Sequence, residues 1–141
     1  MIIPNINPIV VDTNIIAYLY LQNNYTKLAE NLLIKNAEWH VPILWKSEIR
    51  SVLIKYLRGN FLSFEEVINI QKDAEKLVFG KEYEVDSYSV LELVKNSTCS
   101  SYDCEFIALA KNLNTKLITM DKKLLSEFRN FAVSLEEFLQ S

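Results

Sequence analysis

The sequence predicts an α/β fold built on a largely parallel sheet, and three observations carry that expectation. Two short apolar runs, residues 8–11 and 116–120, lack polar alternation, the pattern of strands covered on both faces. Longer segments with apolar residues at helical spacing lie between and after them. Each run also ends in an aspartate, Asp12 and Asp121, at the strand end where open α/β sheets bind their ligands. The 141 residues fit one domain, and no repeat, low-complexity tract or linker divides them, so a single domain over 1–141 is expected.

The elements follow in order. Pro4 to Pro8 is a lead-in, and Pro8 to Asp12 reads as the first buried strand. Helices are expected over 13–22 and 25–35, then a short strand over 38–41 closed by Pro42. Residues 43–57 carry apolar side chains at 45, 49, 52, 53 and 56, a helical stripe, with Gly59 in the usual C-terminal position. Ser63 and Glu66 form a capping box for the next helix, which Gly80 closes. A weak strand over 82–85 and an amphipathic helix near 87–96 come next. Ser100 caps a helix running to Leu113, and the second buried strand follows at 116–120. A short helix, a strand at 131–133 and a last helix complete the chain.

Composition removes several kinds of chemistry. With only Gly59 and Gly80, the chain has no glycine-rich phosphate cradle. One histidine, His40, and two cysteines, Cys99 and Cys104, cannot supply a zinc site of the usual nitrogen and sulfur ligands. Any metal must be held by carboxylates, which points to Mg²⁺ or Mn²⁺. The two thiols in a core-forming chain read as reduced and cytosolic. Residues 1–11 carry no basic segment and are broken by prolines, unlike a secretory leader, and the longest apolar run, Ile15 to Leu21, is too short to span a membrane. The expected location is the cytoplasm. A net charge of −3 gives no global basic field, although a local patch can still hold nucleic acid.

Three of the five aspartates fall at element junctions: Asp12, Asp121, and Asp103 in the first turn of its helix. Each has an ordinary reading as a helix cap or a partner of the helix dipole, and Ser100 to Asp103 can be an S-x-x-D capping box. Glu48 sits at the edge of the apolar stripe of the 43–57 helix, where it either reaches solvent or faces something cationic. Two parallel strands ending in Asp12 and Asp121 put both carboxylates on one sheet edge. If the 43–57 and 101–113 helices start at or cross that edge, Glu48 and Asp103 join them. Such a group is self-repelling unless a divalent ion sits among its members.

The segment Val10 to Tyr18 (VVDTNIIAY) resembles the opening motif of the PIN-domain nucleases, in particular VapC-type toxins. Val41 through Glu48 to Leu53, then Tyr102 to Ala110 (YDCEFIALA), then Leu117 to Leu124 (LITMDKKL) match the remaining blocks in order, spanning 10–124. The resemblance implies a three-layer α/β/α domain around a five-stranded, mostly parallel sheet, with Asp12, Glu48, Asp103 and Asp121 as a catalytic and metal-binding acidic quartet. It implies an Mg²⁺-dependent (or Mn²⁺-dependent) endoribonuclease leaving 5′-phosphate and 3′-hydroxyl ends, a homodimer, and a small antitoxin whose tail lies along the active-site groove. The 60–98 segment carries no motif.

Asn14 and Thr119 are candidates for orienting the carboxylates, with helix capping as the alternative. Lys46, Arg50, Lys122 and Lys123 are candidates for RNA phosphates, against an ordinary solvated helix face. Residues 65–92 hold eight acids against three bases and should repel RNA. Two rivals stand beside the nuclease reading. A carboxylate-site phosphatase usually has a second Asp two residues after the first, where this chain has Asn14. A non-catalytic PIN-like RNA-binding module is expected to lose acidic positions, and all four are present here.

Overall fold

The computed structural model describes residues 7–141; Pro4 and the rest of residues 1–6, on which part of the lead-in and leader readings fell, lie outside the described residues. The elements run β1 (Ile9–Val11), α1 (Thr13–Tyr20), α2 (Thr26–Lys35), β2 (Trp39–Pro42), α3 (Trp45–Arg58), α4 (Phe64–Leu77), β3 (Glu82–Tyr83), α5 (Ser87–Lys95), α6 (Ser101–Asn112), β4 (Leu117–Ile118), α7 (Lys122–Glu127), β5 (Ala132–Val133) and α8 (Leu135–Gln140). The strands form one five-stranded sheet in the order β3-β2-β1-β4-β5, and every neighbouring pair is parallel. The α/β expectation therefore holds, including the strands at 82–83 and 132–133.

The chain leaves β1 in one direction, through β2 to β3, and then crosses back to β4 and β5. The topology switches between β1 and β4, whose registers pair Val10 with Leu117 and Val11 with Ile118. With right-handed crossovers, α1 to α4 cover one face and α5 and α6 the other. The packing agrees: α1 lies on α2 and α3, α3 on α4, and α6 on β1, β2 and β4. Burial on both faces explains the uninterrupted apolar strands, since all of β1 and β4 is buried. The core gathers Ile15, Ile16, Trp39, Trp45, Ile49, Leu53 and the α6 run Phe106–Ala110 between sheet and helices.

The first helix ends at Tyr20 rather than at residue 22, the strand expected over 116–120 pairs only at Leu117–Ile118, and Pro42 lies inside β2, paired with Tyr83, rather than after it. Two further differences have physical reasons. The third helix starts at Trp45 rather than Ile43, because the Ile43 N–H donates to Tyr83 O at 2.8 Å and prolongs the β2–β3 pairing past Pro42. The left-handed residue after α3 is Asn60 (φ 59°), while Gly59 has φ −82°. A Cβ at Gly59 would lie 2.8 Å from the ring of Phe61, whose exposed side chain would have to turn aside to admit one. Gly80 (φ 79°) ends the following helix as expected.

The N-terminus of α6 is held by sequence-local devices. Ser100 Oγ accepts from the Asp103 N–H at 3.1 Å. Cys99 and Cys104, free and buried, fall at the positions flanking a helix start where apolar residues staple it. Ser63 and Glu66 make both bonds of their capping box. No helix among the described residues is long and apolar enough to cross a membrane.

Candidate active site

The topological switch sets the location. Asp12 follows β1 directly, and Asp121 follows β4 after Thr119 and Met120, so both stand at the carboxyl edge of adjacent parallel strands. Glu48 comes from the first turn of α3 and Asp103 from the first turn of α6. One open cavity of about 450 Å³ is lined by all four, together with Thr13, Asn14, Leu44, Ser47, Ser51, Val52 and Tyr102.

Each carboxylate is held differently. Asp12 occupies the cap position of α1 but makes no cap bond; its Oδ2 accepts from the buried Thr119 hydroxyl at 2.7 Å. The same Thr119 oxygen accepts from the Asp121 N–H at 3.1 Å, joining the two aspartates through one side chain. Asp121 is a true cap, accepting from the N–H groups of Lys123 and Leu124 at 2.9 and 3.0 Å. Glu48 Oε1 accepts from the Thr13 hydroxyl at 2.7 Å, and Thr13 is buried. Asp103 offers its backbone to the Ser100 cap and leaves its side chain to the cavity.

The acids act on one another. Burial pushes the Asp12 carboxyl up, the Thr119 bond opposes this, and the charges of Asp103 and Asp121 push it further up. Burial raises Glu48 first, against the Thr13 bond, with Asp12, Asp103 and Glu105 adding to the rise. Asp103 is raised by burial and then by Asp121. Raised carboxyls facing one another are a site that favours a cation, and a set of hard oxygen donors fits Mg²⁺ or Mn²⁺. As placed, no three His, Cys, Asp or Glu side chains among the described residues stand close enough to hold one ion together. The chemistry of the donors fits the ion, whereas the side chains are not gathered into a finished coordination shell.

Of the other expected residues, Asn14 lines the cavity, and Thr119 touches both strand-end aspartates rather than capping a helix. None of Lys46, Arg50, Lys122 and Lys123 lines it. Lys46 lies between Glu75 and Glu82, at 3.9 and 3.8 Å. Lys122 and Lys123 are exposed at the start of α7, and the Lys123 charge reaches Asp103. Sequence reading missed Thr13, whose only local signal is its place directly after Asp12. It also missed the wall formed by Leu44, Ser47, Ser51 and Val52, although those positions share a helical face with Glu48.

A doubly wound parallel sheet with an acid-lined cavity at its switch point defines an α/β protein with a carboxylate centre. The PIN domain family model matches residues 9–131, and the chain belongs to that family. Ribonuclease VapC3 of Pyrobaculum aerophilum is 29% identical over 127 residues, which is 85% of this chain and 94% of that protein. The crystal structure of PAE2754 from Pyrobaculum aerophilum shares the fold with a TM-score of 0.74 at 18% identity, over 95% of this chain and 88% of that one. A toxin-antitoxin complex from Klebsiella pneumoniae contains a chain of the same fold, with a TM-score of 0.63 at 14% identity, over 89% of this chain and 96% of that one.

Proposed function

We propose that this chain is an Mg²⁺-dependent (or Mn²⁺-dependent) endoribonuclease, a single PIN domain over 1–141 that serves as the toxin of a VapBC-type pair. The observation that supports this most is that four carboxylates, from the ends of β1 and β4 and the first turns of α3 and α6, line one open cavity. Similarity to a VapC ribonuclease over 94% of its length supports the substrate class.

In this reading Asp12, Glu48, Asp103 and Asp121 hold the ion. An ion held there would supply Lewis-acid polarisation of a phosphoryl oxygen and a water of lowered pKa, the chemistry of a hydrolysis leaving a 5′-phosphate and a 3′-hydroxyl. Thr119 fixes Asp12 and Thr13 fixes Glu48, so the carboxylates present oxygens in set directions. Asn14, exposed at the rim of the same cavity, helps to orient the carboxylates. Lys122 and Lys123 hold a flanking phosphate beside Asp121. The protein acts in the cytoplasm as a homodimer and is silenced by a small antitoxin, the kind of partner named for the structural neighbour from Klebsiella pneumoniae.

The test is cleavage of single-stranded RNA by the purified chain. Cutting should require Mg²⁺ or Mn²⁺, stop in excess chelator and be lost in a folded Asp12→Asn variant, because an amide oxygen is a poor replacement for a charged ligand. Undiminished cutting in chelator, or by that variant, would end the reading.

A further inference from the structure

The cavity has two unlike walls. The sheet edge and the first turn of α6 contribute carboxylates. Along α3 it is lined by Leu44, Ser47, Ser51 and Val52, a stripe with no charge except Glu48. Tyr102, 60% exposed and adjacent to Asp103, adds an aromatic ring to the α6 side. The cavity of about 450 Å³ is far larger than a hydrated ion needs, since one water occupies roughly 30 Å³, and it falls among ligand pockets.

The α3 stripe is poorly suited to phosphate. The cations of that helix segment, Lys46 and Arg50, lie off the stripe, and Lys46 is committed to Glu75 and Glu82. The stripe instead offers hydroxyls that both donate and accept, beside two aliphatic side chains. Ser47 and Ser51 make no side-chain hydrogen bond among the described residues, and both are exposed. From Glu48 to Ser51 and Val52 is one helical turn, about 5 Å along the axis. A planar group with an apolar face and a polar edge matches this wall, and an exposed tyrosine is a stacking platform for such a group.

We infer that Tyr102 and the Leu44–Ser47–Ser51–Val52 face of α3 form a nucleobase subsite, taking a base of single-stranded RNA next to the phosphate at the carboxylates. This rests on the ribonuclease reading and adds base-binding residues to it. Tyr102 supplies stacking that tolerates any base, and the two serine hydroxyls meet the base edge.

The experiment measures binding of fluorescent 12-mers to the full chain in Mg²⁺, with Asp12→Asn present throughout to prevent cutting. Two strands are compared: a mixed-sequence RNA and an abasic ribose-phosphate strand of equal length. Tyr102→Ala should weaken the RNA about five- to hundredfold, the range for loss of one stacked base, and Tyr102→Phe should stay within about twofold. On the abasic strand all three proteins should bind alike. Equal RNA binding by Tyr102→Ala, or the same weakening on the abasic strand, would overturn the subsite. Wild-type cleavage is followed in parallel. If the wild type cuts RNA while binding ignores Tyr102, only the subsite falls; if it cuts no RNA in Mg²⁺, the ribonuclease reading falls and the subsite with it.

Discussion

The Thr13 hydroxyl donates to Glu48 Oε1 across 2.7 Å, tying the residue after β1 to the first turn of α3. Thr13 is 3% exposed, so its hydroxyl is turned inward and is committed to this one carboxylate. A hydrogen bond to a charged group contributes about 1.5–3 kcal/mol. Thr13→Val keeps the branched shape and removes the donor, leaving a partly buried acid with less support. The expected loss is about 1–2 kcal/mol at neutral pH, read from urea unfolding, with Thr13→Ser close to wild type. An unfolding midpoint for Thr13→Val equal to that of wild type would show that the bond holds Glu48 in place without stabilising the chain.

The basic residues differ in what already holds them. Lys46 is engaged by Glu75 and Glu82, whereas Lys122 and Lys123 project from the first turn of α7 next to Asp121. Reversing both lysines of that turn, Lys122→Glu with Lys123→Glu, should lower RNA affinity and reduce its salt slope by about one for each phosphate no longer neutralised. The cap should survive, because Asp121 accepts from the backbone N–H of Lys123. Lys46→Glu should change the RNA salt slope little and destabilise the fold by setting a third acid beside Glu75 and Glu82. Salt titrations of all three proteins check this, and the opposite ranking would place the RNA along α3's outer face.

Cys99 and Cys104 serve the start of α6 and not chemistry. Burial first, and then the neighbouring Glu127, pushes the Cys99 thiol up to about 11. Because the thiolate is the reactive form, that shift cuts the thiolate fraction at pH 8 roughly a hundredfold, and the higher nucleophilicity of a more basic thiolate returns about tenfold, so alkylation slows by roughly tenfold. Labelling of the native protein with iodoacetamide should be slower than labelling of the urea-unfolded chain by at least that factor. Equal rates would mean that the loop before α6 opens freely and that Asp103 is not rigidly carried.

The contrast between these sites shows what the sequence could and could not reveal. The four acids were legible because strand ends and helical stripes are local patterns, and the fold rule for parallel sheets says which edge matters. The Thr13–Glu48 bond was not, since it depends on how α1 packs against α3 across 35 residues. The burden on Lys46 was hidden for the same reason, as its partners come from α4 and β3. Asn60 rather than Gly59 takes the left-handed turn, and the Phe61 N–H then reaches back to Tyr56 O at 2.9 Å, a choice between neighbouring residues that composition cannot announce.

Asp12, Glu48 and Asp103 have carboxyls raised first by burial and then by the charges of neighbouring acids, Asp121 among them, so each binds its proton more tightly folded than unfolded. Ionising them therefore destabilises the metal-free protein. The loss begins near the ordinary carboxyl value of about 4 and accrues as pH rises through the raised native values. Asp103→Asn removes one charge, and the Ser100 cap survives because Ser100 Oγ accepts from the Asp103 backbone. Asp12→Asn gives up no cap bond, since Asp12 makes none, and its amide oxygen can still accept from Thr119. Relief of repulsion should therefore prevail, raising the metal-free Tm at pH 7 by roughly 2–4 °C, about what 1 kcal/mol moves a domain of this size. Near pH 4 the gain should shrink, because carboxyls with raised pKa take up protons there and their mutual repulsion falls. Mg²⁺ should stabilise the wild type by mass action and do much less for either variant. Thermal melts of the three proteins at both pH values, with and without Mg²⁺, decide the matter. Variants less stable at pH 7, together with a wild type indifferent to Mg²⁺, would mean that the carboxylates share a cavity without forming a cation site.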